Sequence, residues 1–152
     1  VDDALHATRA AIDEGIVPGG GTALLQARTN VLNIIDEQKG FSEDKDERLG
    51  AEILFEAIER PFIQILKNAG IDTHHNILTE IEHKADTKEK IGYNVKTGKY
   101  VDMVKEGIID PTKVTRTALE NAVSVAGTML ITECTVVDDP EDKKEEIPMM
   151  GM

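Results

Sequence analysis

Three consecutive glycines, Gly19 to Gly21, directly precede a helical apolar pattern, and glycines in this position could form a ligand-binding turn. A glycine turn at a helix N-terminus leaves backbone amides unpaired with a partial positive charge, which suits a polar or anionic ligand. The triplet lacks the G-x-G-x-x-G spacing of dinucleotide-binding loops, and no Gly-Lys-Ser/Thr follows as in a P-loop. These residues alone therefore favour a tight corner over a ligand loop, without excluding the loop.

Two carboxylates, Asp3 and Asp110, are further candidates, and each also has a purely local explanation. Asp3 falls in the first turn of a predicted helix, where a negative charge compensates the helix dipole. Asp110 precedes Pro111, and this pair fits the N-cap and first position of another helix. The local explanations are favoured for both residues as long as their spacing is the only information.

The histidines and the cysteine do not form a convincing site. His74 and His75 are adjacent, so on a helix their side chains diverge by about 100° and cannot share a metal as an i, i+4 pair would. Cys134 has no adjacent base and no second cysteine, which predicts a small buried apolar residue and excludes an internal disulfide. Such cysteine usage indicates a reducing compartment.

Composition restricts the classes of partner. The 152 residues include 17 basic and 29 acidic side chains, a net charge of −12, whereas proteins that hold phosphate backbones carry a basic surface. No apolar run approaches the roughly 20 residues that span a bilayer, and no signal peptide is recognisable. Neither nucleic acid nor a membrane is therefore expected as a partner. With 40% hydrophobic but only 3% aromatic residues, the chain predicts one unit with an aliphatic, helical core.

Helical spacing dominates the first half of the chain. It predicts a helix over Asp2–Glu14, which Gly15 ends in the left-handed conformation. A second helix follows the glycines, and a third begins at about Asp46 and is kinked by Pro61. Between them, the charged stretch Gln38–Glu47 predicts a solvated loop. A short helix then carries Ile77, Leu78 and Ile81.

The second half of the chain changes its period. Alternating apolar residues from Ile91 onward, followed by a turn at Thr97-Gly98, predict a small β-hairpin. The stretch from Asp110 to Cys134 predicts a long helix that is central and enclosed, because two of its faces are apolar or small. The β-branched segment Thr135–Val137 predicts a short terminal strand that could pair with another chain. Residues 138–152 have the composition of a disordered tail.

Two long blocks are informative through their residue order as well as through the spacing of single residues. They are "DDALHATRAAIDEGIVPGGGTALL" and "IGYNVKTGKYVDMVKEGIIDPTKVTRTALENAVSVAGTMLITEC". With the Met/Gly ending, they closely resemble the C-terminal portion of group I chaperonins, the GroEL/Hsp60 family. The resemblance implies a mainly α fold, the multihelical C-terminal half of the equatorial domain with a small β-hairpin and a short terminal strand. It divides the chain into the last helix of the intermediate domain (1–14), half of the equatorial ATPase domain (15–137) and a disordered acidic Met/Gly tail (138–152).

The same resemblance implies a site for ATP and Mg²⁺. Asp3 would be the catalytic carboxylate that orients the attacking water near Mg²⁺. Gly19 and Gly20 would lie against the ribose, whose hydroxyls would bind to Asp110. The family residues that contact the adenine match Asn94, Val95, Lys96 and Ile108. The family's phosphate-binding loop and main Mg²⁺ ligand match nothing here, so this segment alone is expected not to hydrolyse ATP.

Partners and location follow from the resemblance as further expectations. Other subunits would complete a heptameric ring, and a co-chaperonin and unfolded clients would bind through an apical domain outside this sequence. The bacterial cytoplasm is the expected location, with an organelle matrix as the second choice. Because Ile63 stands where bacterial members often have Arg, in a region of ring-to-ring contact, single or double rings are both left open. The alternative from another class is an independent helical interaction module without nucleotide chemistry.

Overall fold

The computed structural model describes residues 2–37, 42–85 and 90–137, which are mainly helical. The helices are α1 (Asp2–Glu14), α2 (Thr22–Glu37), α3 (Lys45–Ile58), α4 (Arg60–Asn68), α5 (His74–Ala85) and α6 (Thr112–Leu130). The strands are β1 (Ile16–Pro18), β2 (Ile91–Asn94), β3 (Lys99–Asp102) and β4 (Ile109–Pro111). The expected fold class, mainly α with a small hairpin, is confirmed.

Local signals placed most element ends correctly. Gly15 ends α1 with a φ of 81°, the left-handed value expected of a glycine after a helix. The interruption predicted at Pro61 is also confirmed, since α3 ends at Ile58 and Pro61 lies in the first turn of α4. A proline fits there because the first turn needs no N–H donor. The loop predicted over Gln38–Glu47 is shorter than expected, because α3 already begins at Lys45; residues 38–41 lie outside the described ranges.

Two antiparallel strand pairs organise the irregular parts of the chain. The β2–β3 hairpin pairs Ile91 with Asp102 and turns through Gly98, which has a φ of 67°. The second pair, β1 with β4, joins segments far apart in sequence and places Val17 opposite Asp110. The hairpin was expected, whereas the residues of β1 were predicted only as an extended link. The β1–β4 pair brings the glycine turn next to the start of α6.

The hydrophobic core lies between α2, α4 and α5. Its buried cluster consists of Leu25, Phe62, Ile63, Leu66, Ile77, Leu78 and Ile81. Tyr93, Val95 and Tyr100 of the hairpin region pack against this cluster and remain partly exposed. A partly buried guanidinium, that of Arg28 on α2, lies 3.1 Å from a Glu59 oxygen and 2.5 Å from a Glu82 oxygen. This ion pair network ties α2 to the start of α4 and to α5.

Helix α6 departs from its prediction. It was expected to be central and enclosed, but it has no buried residue, and every residue from Glu120 to Val137 is exposed. The elements it contacts most are α1 and β4, at its N-terminal side. Thr135–Val137 pairs with no described residue, and the strand predicted there, which could pair with another chain, stays a prediction. Cys134 is exposed, so the prediction that it is buried is wrong. The apolar faces of α6 thus have no covering element within the described ranges.

Two remaining expectations concern the membrane and the tail. Among the described helices, none is both long and apolar enough to cross a membrane. The disordered tail predicted for residues 138–152 lies outside the described ranges.

Candidate functional site

The β1–β4 pair carries the glycine turn and Asp110 on adjacent strands. The N–H of Gly19 donates to the Ile108 carbonyl at 2.9 Å, which continues the ladder beyond β1. A Cβ at Gly19 would lie 3.1 Å from the carbonyl carbon and oxygen of Ile108, so the close backbone approach favours glycine. Val17 and Asp110 lie opposite each other in this register, and such residues in an antiparallel pair typically have Cα atoms about 4.5–5.5 Å apart. Gly19, Ile108 and Asp110 are therefore brought together.

The turn itself is built from two left-handed glycines. Gly20 and Gly21 have φ values of 65° and 79°, which other residues adopt only with strain. The turn closes with the Thr22 N–H donating to the Gly19 carbonyl at 3.2 Å, and α2 begins there. Within the described ranges, the N–H groups of Gly20 and Gly21 donate to no protein acceptor. The triplet is thus a tight corner, and it also presents two free amides at a helix N-terminus.

Asp110 does not cap α6 as its position before Pro111 suggested. The helix begins at Thr112, Pro111 occupies the N-cap with φ −66° and ψ 129°, and no side chain caps it. The reason is that Asp110 is held extended by its pairing with Val17, so the helix cannot include it. The Asp110 side chain is partly buried and forms no hydrogen bond or ion pair with any described residue. Its carboxylate is therefore available to a ligand.

The adenine-contact candidates of the hairpin lie at the turn that follows β2. The Asn94 side-chain oxygen accepts from the Lys96 N–H at 3.0 Å, and the Asn94 carbonyl accepts from Gly98 at 2.9 Å. The Asn94 side chain thus stabilises its own turn, a common role of asparagine. Val95 packs on the core, and Lys96 is exposed. None of these three forms a hydrogen bond with the glycine turn or Asp110.

Asp3 is not brought to the other candidates. It is exposed in the first turn of α1, twelve residues before Gly15, which is about 18 Å along a helix axis. Asp3 has no hydrogen bond to Gly20, Asn94 or Asp110 among the described residues. The opposite end of α1 is the anchored one.

Two ion pairs anchor the end of α1 to the start of α6. Asp13 pairs with Lys113 at 2.8 Å, and Glu14 pairs with Arg116 at 2.7 Å. The hydrogen bonds that the Arg116 guanidinium donates lower the pKa of Glu14, and the hydrogen bond that Lys113 donates to Asp13 raises the pKa of Lys113. The four side chains are largely solvent-accessible, so they align the two helices more than they stabilise the fold.

Two residues that pack against the glycine turn region, Met103 and Gly92, were not predicted as part of the site from the sequence. Met103 is fully buried against the turn and against Gly92 of β2, and Gly92 in turn touches Thr22. A glycine inside a strand often marks a close approach of two segments, and that signal could have identified Gly92.

A long apolar groove of about 800 Å³ runs between α2, α3 and α6. Leu24, Ile53, Ala57, Val114 and Leu119 are among its lining residues, and Gly21 and Asp110 also border it. Apolar periodicity indicated that these faces would be covered, but it did not show that the groove would stay open beside the candidate site.

Within the described ranges, no group of three or more His, Cys, Asp or Glu side chains could hold a metal ion. The rings of His74 and His75 instead lie next to each other, with centroids 4.4 Å apart. The two candidate carboxylates predicted from the sequence, Asp3 and Asp110, lie on different elements, α1 and β4.

A comparison with known families assigns these features to one of them. The family model described as the TCP-1/cpn60 chaperonin family matches residues 1–140, which include α1, the glycine turn, both strand pairs and α6. The match covers far more than half of the sequence, and it contains each of the candidate residues from Asp3 to Asp110. The chain belongs to the TCP-1/cpn60 chaperonin family.

Proposed function

We propose that the chain forms the ribose and adenine side of the ATP site in a group I chaperonin subunit. Family membership supports a part in chaperonin-assisted protein folding. The observation that carries the nucleotide proposal is the pairing of β1 with β4, which sets two free glycine amides beside the unpaired Asp110 carboxylate. Backbone amides can donate hydrogen bonds to sugar oxygens, and a carboxylate can accept hydrogen bonds from sugar hydroxyls, so both groups suit a ribose.

Each candidate residue then has a task that its chemistry can perform. Asp110 accepts hydrogen bonds from the ribose hydroxyls, since a carboxylate offers two acceptor oxygens. Gly19 and Gly20 lack a Cβ and permit the sugar to approach the backbone. Ile108 offers an aliphatic surface to the base, whose edge faces the segment Asn94, Val95 and Lys96. Mg²⁺, held by a ligand outside this sequence, would neutralise phosphate charge, while positioning of the reacting groups would supply much of the remaining catalysis.

Asp3 requires a movement of α1 before it can act on the nucleotide. Gly15 is the single residue between α1 and β1, and a Cβ built there would meet no atom within 4 Å. We propose that α1 moves by rotating about the backbone of Gly15. The rotation breaks the pairs Asp13–Lys113 and Glu14–Arg116, which hold α1 in the orientation described here. After this rotation, the Asp3 carboxylate would orient the water that attacks the terminal phosphate.

The site is completed by chain outside this sequence. The apolar groove beside Asp110 is then the surface on which another part of the same subunit packs, bringing a phosphate-binding loop and the main Mg²⁺ ligand. Further subunits form the ring, and a co-chaperonin and unfolded clients bind to an apical domain. The proposed location is the bacterial cytoplasm, or else an organelle matrix. The 152 residues alone do not hydrolyse ATP.

The test measures ATP affinity of the chain with the preceding part of the subunit supplied in trans, by isothermal titration calorimetry. Asp110→Ala is expected to weaken binding about tenfold or more, because hydrogen bonds to a charged group contribute about 1.5–3 kcal/mol. Asp72→Ala is the matched control, since Asp72 is an exposed carboxylate between α4 and α5. Unchanged affinity in Asp110→Ala would contradict the assignment. ATP turnover by the 152 residues alone, abolished by Asp3→Ala, would contradict the predicted inactivity.

A further inference from the structure

Met103 fills the space between the glycine turn and the β2–β3 hairpin. Its side chain is 1% exposed. A Cβ built on Gly20 would lie 3.3 Å from the Met103 Cε, and one built on Gly92 would lie 2.6 Å from its Cγ and 2.9 Å from its Sδ. The thioether therefore touches both backbones, and no room is left for another carbon atom on the Gly92 side.

The backbone of Met103 reaches the third segment of the candidate site. Its carbonyl accepts from the Ile108 N–H at 2.8 Å, and the Ile108 carbonyl in turn accepts from Gly19 at 2.9 Å. Its own N–H donates to the Lys90 carbonyl at 2.9 Å, directly before β2. One buried residue thus contacts the glycine turn, the strand that leads to Asn94 and the strand that leads to Asp110.

The φ of Gly92 is not in the left-handed region, so the backbone conformation does not require a glycine there. Glycine is required instead because there is no space for a Cβ. A Cβ there would collide with Met103 and with the Thr22 hydroxyl oxygen at the start of α2. Glycine inside a strand is unfavourable compared with a β-branched residue, because it restricts a flexible backbone and packs no side chain. The close approach of β2 to Met103 and Thr22 is the feature that makes glycine necessary here.

We propose that Met103, seated against Gly92, is a positioning residue for the ribose part of the nucleotide site. It sets the distance between Gly20, where the sugar lies, and Asp110, which binds the sugar hydroxyls. This inference rests on the proposed function. Neither Met103 nor Gly92 is assigned a contact with the nucleotide, so both act through Gly20 and Ile108.

A role in core packing alone differs from positioning in one measurable way. Loss of packing lowers stability and affects all nucleotides alike, whereas a displaced glycine turn affects the ribose hydroxyls specifically. The experiment therefore compares ATP with 2′,3′-dideoxy-ATP, which lacks both hydroxyls, on the assembled full-length gene product. Leu66→Ala is the control, since Leu66 is also completely buried but belongs to the cluster between α2, α4 and α5.

The unmodified protein is expected to bind ATP about tenfold more tightly than the dideoxy compound, as loss of a hydrogen bond to a charged group predicts. Gly92→Ala and Met103→Ala reduce this preference to about twofold or less, and volume-conserving Met103→Leu retains most of it. Leu66→Ala lowers the unfolding temperature but leaves the preference intact. Met103→Ala removes atoms instead of adding them, so it serves if Gly92→Ala does not fold.

The inference is overturned if Gly92→Ala or Met103→Ala weakens both nucleotides by the same factor, since the preference would then survive. It is also overturned if Leu66→Ala removes the preference as strongly, because general destabilisation would explain the loss. Failure of the proposed function has another signature: the unmodified protein itself binds no ATP. In that case this inference falls with it.

Discussion

Helices α4 and α6 differ sharply in what their apolar faces meet. The nine residues of α4 bury Phe62, Ile63 and Leu66 in the core, whereas the nineteen residues of α6 bury none. Both sequences show helical apolar spacing. The difference teaches that such spacing indicates which face of a helix will be covered, but not which element covers it or whether that element is part of the same sequence.

The exposed face of α6 lies next to the candidate site. Asp110 and Gly21 border the groove along α6, so an element that covers the helix there would also approach the candidate site. In the proposed subunit, covering α6 and completing the ATP site are one event.

The largest difference is expected for truncation of apolar side chains. Leu66→Ala in the core should lower the free energy of unfolding by about 2–5 kcal/mol, because it removes buried methyl groups and leaves a cavity. Val125→Ala on exposed α6 should change it by no more than about 0.5 kcal/mol. Urea denaturation of the isolated chain measures both. Equal effects of the two substitutions would show that α6 is covered in solution, for example by self-association.

Substituting two glycines by alanine, one at the core and one on α6, is expected to change stability in opposite directions and by an intermediate amount. Gly21→Ala should destabilise by about 1–2 kcal/mol or more, because Gly21 has a φ of 79° and an added Cβ would lie 3.0 Å from the Phe62 backbone. Gly127→Ala should stabilise by about 0.5–1 kcal/mol, since it lies within α6 with open space around it. Thermal unfolding of the isolated chain checks both signs. Destabilisation by Gly127→Ala only in the assembled protein would show that the element that covers α6 packs closely against Gly127.

The smallest effect concerns the anchored end of α6 and its dependence on pH. Because Arg116 lowers the pKa of Glu14 below its ordinary value of 4.5, the folded state favours the charged carboxylate. The corresponding stabilisation is present above pH 4.5 and is lost as the pH falls through the lowered pKa. NMR titration of the Glu14 side chain should show the low pKa, and Arg116→Gln should return it toward 4.5. If the Glu14 pKa did not change in Arg116→Gln, the Glu14–Arg116 ion pair would not anchor α6 to α1 in solution.

Features that depend on a few neighbouring residues could be predicted from the sequence. The left-handed Gly15, the interruption at Pro61 and the hairpin turn at Gly98 all follow from backbone preferences of single residues. Asp110 shows the limit of such reasoning, because its position before Pro111 satisfied the rule for a cap. The competing pairing with Val17, a residue far away in the chain, could not be seen in the local pattern.

The candidate site was predictable in its residue types and not in its construction. The glycine triplet and Asp110 were found by type, but their proximity depends on β1, a strand of only three residues with little periodicity to detect. Gly19 and Gly21 are explained by close backbone contacts with Ile108 and Phe62. The turn is thus a tight corner, and the N–H groups of Gly20 and Gly21, which donate to no described protein acceptor, leave the ligand-loop interpretation as a prediction.

The sequence by itself determined the helices, the hairpin, the glycine turn and the resemblance to chaperonins, because these depend on local backbone preferences and on recognisable residue order. Only the tertiary structure decided that β1 pairs with β4, that Met103 fits against Gly92 and that α6 stays uncovered. These contacts join segments far apart in the chain, and they depend on which surfaces fit together once the helices have formed.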